Sequence, residues 1–297
     1  MREIRQVLQL ARQNFSGWKR NFRIWITFIL AFVLCLMLSD EVLTHARRYE
    51  TTLQILEPFI WTYGDAASVM LSSLLLVPLF ADMPFVSQET PYCLVRTKRS
   101  IWLSGQIVYV IATTILYNLF LFAVQAIFAA PFAFIGNVWS KTAAMLGYGG
   151  ASKGVVPVSV KTMESTLPYE CALQVFLLML CYSLFIVCVM LCLNLFFGNA
   201  AGVVGAFAVN LYGFLLNPEI FEKLFHFTGN LKYRANVLCG WLSPLNHATF
   251  PMHNFGYDYL PRIEVSIGIF VSMIVVLTII AGIKTRTYNF TFIQIDE

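Results

Sequence analysis

DMPFVSQETPYCLVRTKRSIWLSGQ, residues 82–106, is a charged and aromatic segment set between two long apolar runs. Arg96, Lys98 and Arg99 form the densest cationic cluster in the interior of the chain, and basic residues gather on the cytoplasmic side of a membrane, so the segment reads as a cytosolic connector. Thr90 followed by Pro91 supplies an N-cap and a first helical position, where proline's fixed φ fits and its missing N–H costs nothing. The pattern predicts a short helix over 91–97 carrying Tyr92, Leu94 and Val95. Arg96, Lys98 and Arg99 fall at its C-terminal end, where cations suit the helix dipole. Lying at the membrane surface, such a helix offers apolar and cationic groups to a soluble partner. A basic anchor among the headgroups is the plainer alternative.

Composition agrees with two apolar runs flanking a connector. Hydrophobic residues make up 58% of the chain and charged residues 12%, against about a quarter charged in an ordinary soluble domain. Mean hydropathy is +0.70. These values describe an all-α integral membrane protein. The formal charge of +4 is scattered between apolar runs and forms no extended basic stripe, so nucleic acid is not an expected partner.

Ahead of the first run lies a basic amphipathic leader. Ile4, Val7, Leu8, Ala11, Phe15 and Trp18 recur at three- and four-residue spacing, with Arg2, Arg5, Arg12, Lys19 and Arg20 at other positions. The leader is expected to lie in the interface with its apolar face in the lipid boundary, and it lacks a signal-peptide cleavage site. Six spans follow, at about 22–42, 60–81, 105–134, 169–197, 200–216 and 263–283. Pro78 is expected to kink the second, and the third is long enough to tilt or project. Gly198-Asn199 leaves room only for an antiparallel hairpin between the fourth and fifth.

Six crossings put both termini on one side. With the leader, the connector and the tail inside, that side holds eleven Lys or Arg against five acids, while the other loops hold nine against eleven. The expectation is a single multi-pass domain, 1–297, in the cell membrane with cytoplasmic termini. The outer loops are then about 39–59, 135–168 and 217–262. Apolar stretches at 220–227 and 238–250 suit re-entrant or interfacial helices that cap the outer mouth.

Chemistry-bearing groups are sparse. His247, His253 and Asp258 in NHATFPMHNFGYD invite a metal site, but two histidines six apart on a loop fit no common ligand spacing, and a polar outer loop is the plainer reading. No HExxH occurs. The seven cysteines follow no framework spacing; Cys181, Cys188 and Cys192 share a face of the fourth run and read as small packing residues. Asn118 and Gln125, seven apart, fall on one face of the third run, and Asn194 and Asn210 lie in the fourth and fifth. Amides at such depth need partners, so they bond other helices or line a substrate path, the first being the plainer role. No acid or base sits mid-membrane in any run, which argues against ion-coupled transport.

A basic amphipathic leader, six crossings and a cytosolic connector after the second crossing resemble the membrane subunit of ABC type-2 exporters. The resemblance implies that residues 4–20 are the elbow helix and that FVSQETPYCLVRTKRSIWLSGQ, residues 85–106, carries the coupling helix that docks on a separate ABC ATPase. It implies further that Tyr92, Arg96, Lys98 and Arg99 contact the ATPase, with Asn118 and Gln125 as candidates for the translocation path. The sequence has no GxxxxGK[ST] phosphate loop, so ATP and Mg belong to the partner, and this chain carries no cofactor and no enzyme activity of its own. Two permeases, identical or different, and two ATPases would complete the transporter, with a peptide, drug or lipid as cargo. Two other readings stay open: a non-transporting membrane scaffold or peptide-immunity sensor, and an intramembrane enzyme using His247 and His253.

Overall fold

The computed structural model describes residues 2–86, 97–149, 158–227 and 229–288. The leader is α1 (Arg2–Ser16), followed by a 3-10 turn over Gly17–Arg20. Asn21 then accepts from the Arg23 amide and opens α2 (Phe22–Arg48), whose last turn carries His45, Arg47 and Arg48, favourably placed against its dipole. The second apolar run breaks into α3 (Glu57–Tyr63), α4 (Ala66–Leu74) and α5 (Leu76–Phe80). After the connector come α6 (Arg99–Ala129), extended by a 3-10 turn to Phe132, and the short loop helices α7 (Lys141–Tyr148) and α8 (Val160–Ser165), capped by Ser140 and Ser159. The remainder is α9 (Pro168–Phe197), α10 (Asn199–Leu215), α11 (Pro218–Phe225), α12 (Lys232–Leu242), α13 (Pro244–Ala248) and α14 (Ile263–Thr287). Among the described residues the only strand pairing is a parallel one of two residues each, Leu53–Gln54 with Ala133–Phe134.

Four helices are long and apolar enough to cross a membrane: α2, α6 with its extension, α9 and α14. The number rises to six if each of two bent pairs counts as one span. These are α3 with α4–α5, bent by 85°, and α10 with α11, bent by 66°. α9 is the axis of the bundle, packing against α3, α6, α10, α13 and α14. α14 lies at the rim, with Val271, Val275, Ile279 and Ile283 exposed; Trp25, Ile29 and Met37 on α2 and Val204, Phe207 and Leu211 on α10 are bare in the same way. Leaving such side chains in water would forgo about 1.5–3 kcal/mol each, so these faces belong in hydrocarbon, as expected of an all-α membrane protein.

Two sequence expectations change. The second run turns sharply at Gly64–Asp65 rather than kinking at Pro78: Asp65 adopts an extended conformation (φ −95°, ψ 143°) and its carboxylate caps α4 by accepting from the Ala67 and Ser68 amides. Pro78 sits inside the five-residue α5. The leader's apolar face is divided. Ile4 and Leu8 are exposed, while Ala11 is buried and Phe15 and Trp18 pack on the protein core. The helix expected over 91–97 lies outside the described residues as far as Arg96, and Thr97 is not helical.

Candidate functional site

Residues 87–96 of the connector, with Tyr92 and Arg96, lie outside the described residues, but the protein on either side of them forms one cluster. On the incoming side, Asp82 pairs with Arg23 at 2.5 Å. Phe85 packs edge-on against Tyr109, with ring centroids 5.2 Å apart, and its carbonyl accepts from Gln106 Nε2 at 3.2 Å. Both partners belong to α6, and both also hold the leader. Asn14 Nδ2 donates to Gln106 Oε1 at 3.3 Å, Trp18 Nε1 donates to the Tyr109 hydroxyl at 2.9 Å, and the Phe15 ring lies 4.8 Å from that of Tyr109. Close approach of the two helices depends on Gly105, where a Cβ would fall 2.7 Å from Leu10 Cβ.

On the outgoing side, Lys98 Nζ pairs with Glu3 of the leader at 3.2 Å; both groups are largely exposed, so the pair contributes at most about 1 kcal/mol. Arg99 is more constrained. Its Nη1 donates to the carbonyls of Thr285 (3.3 Å), Arg286 (2.7 Å) and Tyr288 (3.1 Å), so the guanidinium caps the C-terminus of α14. Of the four expected ATPase contacts, Lys98 is thus at the surface and Arg99 carries a structural duty within the chain.

All four membrane amides are buried. Asn194 donates to the Met83 carbonyl at 2.7 Å and accepts from the Gly202 amide at 2.7 Å, joining the α9–α10 hairpin to the start of the connector. Asn210 Oδ1 accepts from Ser73 Oγ at 2.7 Å and from the Tyr182 hydroxyl at 3.0 Å, joining α10 to α4 and α9. Asn118 only donates to Thr114 O of its own helix, and its Oδ1 has no partner. Gln125 reaches the Cys35 carbonyl and Thr62 Oγ1 at 3.4 and 3.5 Å. The first two therefore serve helix association, whereas Asn118 and Gln125 leave polar capacity unused or weakly used inside the bundle.

His247 and His253 come together, but not with Asp258. Both imidazoles meet Ser266 Oγ, at 2.8 and 2.9 Å, whereas Asp258 pairs with Lys161 Nζ at 2.6 Å. Burial lowers the pKa of His247 and pushes that of His253 down to about 4. Among the described residues no group of three or more His, Cys, Asp or Glu could hold a metal ion. Six cysteines, Cys35, Cys171, Cys181, Cys188, Cys192 and Cys239, are unpaired.

Sequence reading missed Ser266, Gly105 and the buried Glu57. An isolated serine in an apolar helix carries no local mark of two histidines packed beside it. No family model, curated protein or solved structure matches the chain.

Proposed function

We propose that this chain is the membrane-spanning subunit of an ATP-driven exporter of the ABC type-2 kind, acting as a dimer with separate ATPase subunits. On this reading each bent pair is one crossing, which gives six. The leader is the elbow helix, both termini are cytoplasmic, and residues 85–99 form the coupling segment. The observation that carries the proposal is the closure of the connector's two ends on one cluster: Asp82 and Phe85 enter against α2 and α6, and Lys98 and Arg99 leave against α1 and α14. A push on the segment between them would reach the leader, three spanning helices and the bent second pair together, as rigid-body coupling requires. The partner supplies the phosphate-binding loop and MgATP. Asn118 and Gln125 are the interior groups assigned to the path between the two membrane halves.

The test leaves Arg99 intact because of its capping role. Arg96→Glu combined with Lys98→Glu should abolish recovery of an ATPase subunit and transport while thermal unfolding of the membrane chain stays as in the wild type. Undiminished assembly and transport in that double variant would sink the coupling assignment.

A further inference from the structure

The two outer histidines form a hydrogen-bonded string with an unusual proton count. Ser266 Oγ, in the first turn of α14, lies 2.8 Å from His247 Nδ1 and 2.9 Å from His253 Nε2. The far nitrogen of each ring meets a backbone carbonyl: His247 Nε2 is 3.0 Å from Trp241 O, and His253 Nδ1 is 3.1 Å from Phe250 O. Both carbonyls can only accept. The string Trp241–His247–Ser266–His253–Phe250 therefore holds four contacts, each needing a hydrogen. Two neutral imidazoles bring one hydrogen each and the hydroxyl brings one, which makes three. No choice of tautomer or hydroxyl rotation fills all four contacts, and a single added proton does.

We propose that His247, Ser266 and His253 form a binding site for one proton, taken from the aqueous solution and shared by the two imidazoles across the serine hydroxyl. The bound form ties α12, α13 and the 250–253 turn to the start of α14 through four complete hydrogen bonds. A second proton would bring five hydrogens to four contacts and set two cations on one hydroxyl, so the site saturates at one.

Desolvation sets where uptake occurs. The two rings are 4% and 0% exposed, and burial opposes the charge on each, so the proton arrives below neutrality. Lys161 also opposes charge on His253, though its ammonium is paired with Asp258. Neighbouring elements also carry Asp65, which lines a cavity of about 360 Å³ beside Thr249 and Phe250, Cys239 on α12, Tyr182 on α9, and Arg262 and Glu264 at the start of α14. Among the described residues none of them is hydrogen-bonded to either imidazole. This inference does not depend on the exporter reading.

The experiment is nitrogen-15 NMR of histidine-labelled protein in lipid nanodiscs, titrated downward from neutral pH, with His45 and His226 replaced by Gln. The wild-type pair should take up one proton per chain, with both rings shifting together. In Ser266→Ala two contacts remain for two hydrogens, so the joint uptake should be lost, and Ser266→Thr should restore it. If the alanine variant does not fold, His253→Gln serves instead: its amide donates to Ser266 without titrating, and His247 should then stay neutral across the wild-type transition. The proposal is overturned by two neutral rings at every pH where the chain stays folded, by uptake of two protons, or by uptake that persists unchanged in Ser266→Ala or His253→Gln.

Discussion

Glu57 is the most enclosed acid among the described residues, at 0% exposure, and donors meet both of its carboxyl oxygens. It accepts from the Ser140 amide (2.6 Å), the Ser140 hydroxyl (2.5 Å) and the Gln54 amide (3.3 Å), fastening α3 to the cap of α7. Glu57→Ala should lower stability by about 1–3 kcal/mol through the stranded donors, read as a fall in the thermal unfolding temperature in detergent. Arg99→Ala should release the last turn of α14 at a similar cost of about 1.5–3 kcal/mol, read as faster amide exchange confined to the end of α14. For His247 and His253 the sign is fixed by burial. Their folded pKa values lie below 6.5, so the unfolded chain binds more protons, and stability should fall as pH drops from about 6.5 towards the folded value of about 4 for His253. Stability that instead rose over that interval in a pH series of thermal melts would contradict the burial of the pair. Arg99 illustrates why such roles are hard to read from a chain: the carbonyl it caps at Thr285 is 186 residues away, and a cation beside a connector looks the same whether it faces a partner or its own last helix.

At the scale of elements, the apolar runs were legible because hydrocarbon demands long uninterrupted apolar helices, and α9 and α14 begin within a residue of the expected starts. The hairpin was legible too: Gly198 sits at φ +95°, ψ 169°, a region open in practice only to glycine, and α10 begins at the next residue. Gly198→Ala should cost about 1–3 kcal/mol in thermal stability, and no loss there would show that the hairpin does not need this conformation. The broken second run was not legible from hydropathy, which stays high through the turn at Gly64–Asp65. Its mark was local, an aspartate three residues ahead of Ser68 with its carboxylate free to cap. The leader was legible as an amphipathic helix, yet periodicity does not tell lipid from protein as the cover of an apolar face. Gly105→Leu tests which one matters: it should drive α1 away from α6, exposing Trp18 to collisional quenchers, while the spanning helices remain intact.

At the scale of the whole molecule, α9 collects the packing while α2, α10 and α14 present bare apolar faces outward. Those faces suit hydrocarbon. The connector, meanwhile, is framed at one end of the bundle by groups from α1, α2, α6 and α14. That arrangement gives one short connecting segment mechanical purchase on much of the chain, which is what an external ATPase would require. The measurement that bears on this most directly is gentle extraction of the tagged protein from its native membrane, followed by mass spectrometry of what accompanies it. The account predicts an ABC ATPase subunit in stoichiometric amount, lost on Arg96→Glu. Recovery of the chain alone, under conditions that keep a known ABC complex intact, would contradict it.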